Sequence, residues 1–165
     1  MKTSHVAPLR VPADAVDLEE WIFSLSDADY QAASPQHRAA GFTHVDGVRG
    51  TINVESIGGT LIVQHYAEVA ASARSFELMS NHSRAYLLHL VAVRAQVRWM
   101  VAVQSEANGA ASLRCTVELT LPRLLQILSA MIATPYFISR HVRNETLGFA
   151  RDIERKYAPR EVAHP

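Results

Sequence analysis

The sequence predicts an α+β domain in which a curved antiparallel sheet of seven strands wraps around one long C-terminal helix. Three observations predict it. A hydrophobic period of two runs from Gly50 to Leu121, broken by Gly58-Gly59 and Asn108-Gly109. A helical period takes over after Thr134-Pro135, where Ile138, Val142, Phe149 and Ile153 recur at steps of four, seven and four. Between the first strand and the remaining strands lie cues for two short helices.

The elements follow in order. Residues 1–16 carry Pro8 and Pro12 and are expected as a loosely ordered arm, followed by one domain over 17–158 and a tail over 159–165. Leu18 to Leu25, with Trp21, Ile22 and Phe23, reads as the first strand. Ser26 is a helix cap, with Asp27 and Asp29 suited to the first turn of a helix ending near Ser34. Pro35 would open a second short helix that Gly41 ends.

Gly58-Gly59 is a two-residue hairpin signal between Thr51–Ile57 and Thr60–Glu68. It sets Ser56 opposite Leu61, Val54 opposite Val63, and Ile52 opposite His65. Most of that set is apolar, so the expectation is that it faces inward and that Thr51, Asn53, Glu55, Gln64 and Tyr66 face out.

Two shorter strands are expected near Arg74–Ser80 and Ala85–Val91. Val97, Trp99, Val101 and Val103 then alternate with Arg94, Gln96, Arg98 and Gln104, and Leu113 to Leu121 supplies the partner strand. A two-residue turn at Asn108-Gly109 would put Val103 on the same face as Arg114. A loop of three or five residues aligns the apolar faces instead. Residues 122–133 are expected to form a short helix with Leu124, Ile127, Leu128 and Met131 on one face, and the last helix is expected to run from Pro135 to about Tyr157.

The totals exclude several classes. At 165 residues the chain holds one domain with a sizeable core. Its formal net charge of zero, with scattered arginines, argues against nucleic acid as a partner. One cysteine, Cys115, and no apolar run near the N-terminus give a cytoplasmic expectation. The most apolar stretch, Leu119 to Ile138, is broken by Pro122, Arg123, Gln126 and Pro135, so no membrane span is expected.

In this order of elements the chain resembles the helix-grip proteins, which include START lipid-binding domains, aromatic polyketide cyclases and the wider SRPBCC group. The order covers Asp17 to Tyr157. The local resemblance, to small bacterial members, lies in Trp21-Ile22-Phe23 followed by Tyr30 and His37, and in Asn53-Val54-Glu55 with Gly58-Gly59. It continues in Gln64-His65-Tyr66 and in His141 through Glu145-Thr146 to Phe149-Ala150. The resemblance implies a cavity between helix and sheet for a lipid, sterol or polyketide-like molecule, and names neither ligand nor reaction.

Candidate residues follow from the expected faces. Val54, Val63, His65, Trp99, Val101 and Val117 from the sheet, with Ile138, Val142 and Phe149 from the helix, would line the cavity. His65 is the candidate base or ligand-orienting group, and its plainer reading is a hydrogen-bonded core histidine. Cys115, on an apolar strand, is a small core residue. His141 and Glu145, four apart, share a helix flank that suits a metal or an acid–base pair, but spacing fixes no third ligand and His37, His44, His82 and His89 are dispersed. Neither a metal nor a cofactor is therefore expected. Three functions stay open: a binding module for a small hydrophobic molecule, a cyclase- or dehydratase-like enzyme in the same cavity, and an association protein. Leu124–Met131 would serve as a lid or as a homodimer contact.

Overall fold

A computed structural model describes residues 1–87, 89–106, 110–122 and 133–158. Seven antiparallel strands form one open sheet in the order β1-β7-β6-β5-β4-β3-β2. They are β1 (Lys2–Leu9), β2 (His37–Val45), β3 (Val48–Ile57), β4 (Thr60–Ser72), β5 (Ser75–Leu87), β6 (Val91–Ser105) and β7 (Ala111–Thr120). Helices α1 (Leu18–Ser24) and α2 (Asp27–Ala33) follow β1, and α3 (Thr134–Tyr157) lies across the sheet. The architecture is α+β with a long C-terminal helix on an antiparallel sheet, as the sequence predicts, but four elements differ from expectation.

Lys2–Leu9, expected as a loose arm, is the edge strand β1, paired along its length with β7. An edge strand tolerates Pro8, which cannot donate to a ladder, and its buried residues Ala7 and Leu9 pack into the core. Leu18–Leu25, expected as a strand, is helix α1. The Asp17 side chain accepts from the Glu20 backbone N–H at 2.9 Å, and Leu18, Trp21 and Ile22 bury one helical face. The segment after Pro35, expected as a helix, is β2. Helix α2 keeps its expected cap at Ser26, whose hydroxyl accepts from Asp29 N–H.

Gly58 and Gly59 both have positive φ and close the β3–β4 hairpin in the expected register. Between β6 and β7 Ser105 pairs with Ala111, which sets Val103, Val101, Trp99 and Val97 against Leu113, Cys115, Val117 and Leu119. The two expected short strands at 74–91 are instead one strand, β5, with register shifts against both neighbours. There the Ser80 hydroxyl accepts from the His65 backbone N–H at 3.2 Å and from the Ser83 hydroxyl at 2.8 Å. Such bulges bend a sheet locally and raise its twist. The expected helix with Leu124–Met131 and the tail 159–165 lie outside the described residues.

The core fills the layer between sheet and helices. Trp21, Phe76, Trp99 and Phe149 stack or meet edge to face, and Val142, Phe149 and Ile153 of α3 are fully buried among them. Polar anchors fix the C-terminal half of α3: the Trp21 indole N–H donates to Asp152 at 2.8 Å, and the Tyr157 hydroxyl donates to the Asp17 carbonyl at 2.7 Å. Among the described residues no helix is long and apolar enough to cross a membrane.

At Gly148 α3 lies directly against Ala33 at the end of α2. A Cβ there would lie 1.9 Å from the Ala33 carbonyl oxygen, so one backbone would have to move. Gly148→Ala is therefore expected to lower stability by about 2 kcal/mol, although alanine gains about 1 kcal/mol of helix propensity. Urea denaturation measures it, and an unchanged midpoint would mean that the two helices do not touch at this position.

Candidate functional site

The β3–β4 hairpin has the expected register and the opposite face inward. Glu55, Gln64 and Tyr66 are buried toward α3 and Thr51 and Asn53 beside α1 and α2, whereas His65 is exposed and Val54 and Val63 are half-buried on the outer face. The three expected pocket residues Val54, Val63 and His65 are thereby removed from the site. The reason is pairing: the inward Glu55 carboxylate is answered by Tyr30 and His141, partners distant in sequence. β-Branched residues on an outer sheet face are ordinary.

The inward carboxylate of Glu55 accepts from the Tyr30 hydroxyl of α2 at 2.7 Å and lies 3.4 Å from His141 Nε2 of α3. One turn along α3, Glu145 Oε1 is 3.6 Å from His37 Nε2. His37 stands opposite Glu55 across the β2–β3 ladder, which brings its ring into the same layer. The other ring nitrogen, Nδ1, is 2.6 Å from the Tyr30 carbonyl oxygen, and Tyr30 stacks on the His37 ring at 3.7 Å between centroids. Behind Glu145, the Trp99 indole N–H donates to the Cys115 sulfur at 3.3 Å, and the thiol lies 3.6 Å from Glu145 Oε2. All four members of the group, His37, Glu55, His141 and Glu145, are buried, and each offers a donor atom within 4.8 Å of the others'.

This is a charged centre in a low-dielectric layer. Burial opposes ionisation of Glu55, but the His141 and His37 rings and the Tyr30 hydrogen bond outweigh it and hold the carboxyl well below the usual range. Burial likewise opposes charge on His141, and the facing Glu55 carboxylate overrides it, raising the imidazole. Cys115 is driven the other way: burial, followed by the Glu145 carboxylate, pushes its thiol up, which leaves it inert as a nucleophile.

Two adjoining cavities lie beside α3, and the inner one ends at this centre. The outer one opens to solvent and is lined by Ile57, Ile62, Ala95, Val97, Phe137 and Ile138 among others. The inner one shares Ile57, Ile62, Val97, Leu119 and Ile138 with it and ends on Glu55, Gln64, Tyr66, His141 and Glu145. Of the nine expected pocket residues, Ile138 lines both cavities, and Trp99 and Val117 line the inner one. Val101, Val142 and Phe149 are core residues of the same layer.

Sequence reasoning paired His141 with Glu145 but missed His37, Glu55 and Tyr30. The signal for Glu55 was present, since it alternates with Asn53 and Thr51 opposite Gln64 and Tyr66. Nothing local marks that set as the buried one.

No family model and no curated protein matches the sequence. Solved structures do match the fold. A START superfamily protein from Mycobacterium smegmatis superposes with a TM-score of 0.52 at 12% identity over 94% of this chain and 98% of that one. The ginseng major latex-like protein 151 from Panax ginseng gives 0.53 at 12% identity over 96% and 98%. The di-domain ARO/CYC protein BexL, from the BE-7585A biosynthetic pathway, gives 0.53 at 18% identity over 97% of this chain and 50% of that one. With its strand order and its helix across the sheet, the chain has the helix-grip fold of the START and SRPBCC proteins.

Proposed function

We propose that the protein binds a small hydrophobic ligand between the sheet and α3, with the ligand's apolar body in the outer cavity and a polar end at the inner one. The observation that carries this reading is the change of chemistry across two adjoining cavities that share Ile57, Ile62, Val97, Leu119 and Ile138. Apolar side chains dominate from Phe137 to Val97, after which the wall turns to Gln64, His141, Glu55 and Glu145. A ligand site combines apolar walls with a few converging polar groups in this way. Gln64 Oε1 and His141 Nδ1 are buried without a hydrogen-bond partner in the protein, so each has bonding capacity for a ligand's polar atoms. START, ARO/CYC and major latex-like proteins share the fold, which supports this choice of space.

A second reading, a cyclase- or dehydratase-like reaction in the same space, is favoured by one specific feature: carboxylates and an imidazole face each other at its inner end. The acid–base role then belongs to Glu55, His141 and Glu145, since His65 stands on the outer face.

Fluorescence titration with anilinonaphthalene sulfonate tests the binding site. Ala95→Trp fills the outer cavity and is expected to weaken the probe by about tenfold or more, while His65→Ala leaves it unchanged. Equal binding by Ala95→Trp, in a variant whose circular dichroism matches wild type, would remove the cavity from the function. For the enzymatic reading, a β-hydroxy-ketone probe is expected to lose water in the presence of wild-type protein. Glu145→Gln should slow that turnover by about a hundredfold or more while still binding the fluorescent probe. Wild-type protein that binds such probes and never turns them over is a carrier only.

A further inference from the structure

We propose that His37, Glu55, His141 and Glu145 form a binding site for one divalent first-row transition ion, with Zn²⁺ suited to the donor set. Two imidazoles and two carboxylates are the mixed nitrogen and oxygen ligands that such ions take. Their approach also fits. Zinc bonds of about 2.0–2.1 Å place neighbouring donors of a tetrahedron about 3.3 Å apart. His141 Nε2 and Glu55 Oε2 are 3.4 Å apart, and His37 Nε2 and Glu145 Oε1 are 3.6 Å apart.

Those separations are poor for hydrogen bonds between a charged donor and a carboxylate, which close to about 2.8 Å. His37 Nε2 is buried with no hydrogen-bond partner at all, and its side chain is wholly shielded from solvent. Its orientation carries the argument further. His37 Nδ1 lies 2.6 Å from the Tyr30 carbonyl oxygen, which can only accept, so Nδ1 holds a proton. In the neutral ring Nε2 then presents a lone pair toward Glu145 Oε1. A lone pair facing a carboxylate oxygen in a buried layer is repulsive, and a cation bound to both reverses the sign.

The surroundings match those of metal ligands. A carbonyl fixes the His37 tautomer, the Tyr30 hydroxyl holds Glu55, and the Cys115 thiol backs Glu145, and outer partners of this kind orient ligands and tune their basicity. The charges also balance. Two carboxylates with two neutral imidazoles carry two negative charges, which one divalent ion cancels. Glu55, His141 and Glu145 line the inner cavity, which gives the ion a path to the site. The proposal does not depend on what occupies the outer cavity.

Calorimetric titration of chelator-treated protein with Zn²⁺ is the test, with Co²⁺ absorption as a second readout of coordination. One equivalent is expected to bind with micromolar or tighter affinity and to raise the melting temperature, and Co²⁺ should show the intense visible bands of low coordination number. His37→Gln and Glu145→Gln are each expected to weaken Zn²⁺ by about a hundredfold or more, and Tyr30→Phe, which keeps both carboxylates, by about tenfold. His65→Ala is expected to change nothing. Wild-type protein that keeps its fold and takes up less than about a tenth of an equivalent at 100-fold the expected dissociation constant overturns the proposal. Binding that survives in folded His37→Gln and Glu145→Gln overturns it as well. Probe binding by the metal-free protein reports separately on the apolar cavity.

Discussion

Two carboxylates, Glu55 on the sheet and Glu145 on the helix, lie in a layer that water barely reaches, and much of the surrounding structure answers them. An unpaired charge in such a layer is costly enough that each one must acquire donors or a counter-charge. The donors come from four separate parts of the chain. Tyr30 is delivered by α2, His37 by β2, His141 by α3, and the thiol of Cys115 by β7. The short helices between β1 and β2 thus have a task beyond covering the core. Without α2 neither the Tyr30 hydroxyl nor its carbonyl would reach the centre, and both Glu55 and the His37 ring would lose their hydrogen-bond partners.

The same constraint explains what could be read from the chain and what could not. The Gly58-Gly59 turn gave the pairing of β3 with β4 residue by residue, because a two-residue hairpin leaves no freedom of register. It did not give the face. Period-two alternation defines two faces, and choosing between them by apolar count assumes that the polar set has nothing to bond with inside. Here it has: the partners of Glu55 are Tyr30 and His141, and neither is near it in sequence. Choosing the wrong face exchanged His65 for Gln64 and Glu55, and the candidate site moved with it.

Helix α1 differs from its expected strand although the sequence carries a helical signal. Trp21, Ile22 and Phe23 favour a strand by propensity, yet Asp17 with Glu20 is a capping box pattern and Leu18, Trp21 and Ile22 fall on one helical face. Strand β1 was less legible, since Lys2, Ser4 and Val6 face solvent and only Ala7 and Leu9 are buried. Its place is set by the unpaired edge of β7, a long-range requirement. Helix α3 needed no tertiary information, because Thr134-Pro135 and the spacing from Ile138 to Ile153 determine both its start and its buried stripe.

A buried ionic cluster is a weak way to stabilise a fold. Well-packed apolar residues of similar volume commonly do as well or better, because they carry no desolvation cost. This layer already shows that such packing is within its reach: Phe149, Trp99 and Val142 pack closely a short distance away. The four ionisable groups interrupt that packing at the one place where the inner cavity ends, and two of their nitrogens, His37 Nε2 and His141 Nδ1, are left without partners in the protein. Local departures from the best-packed solution concentrate where a protein does its work. On the proposed reading, the apolar lining would supply affinity toward an apolar body, and the ionic floor would supply selectivity over what lies at its end. A uniformly oily floor would hold a hydrocarbon equally well in either orientation, whereas carboxylates and imidazoles admit only a group that can bond with them.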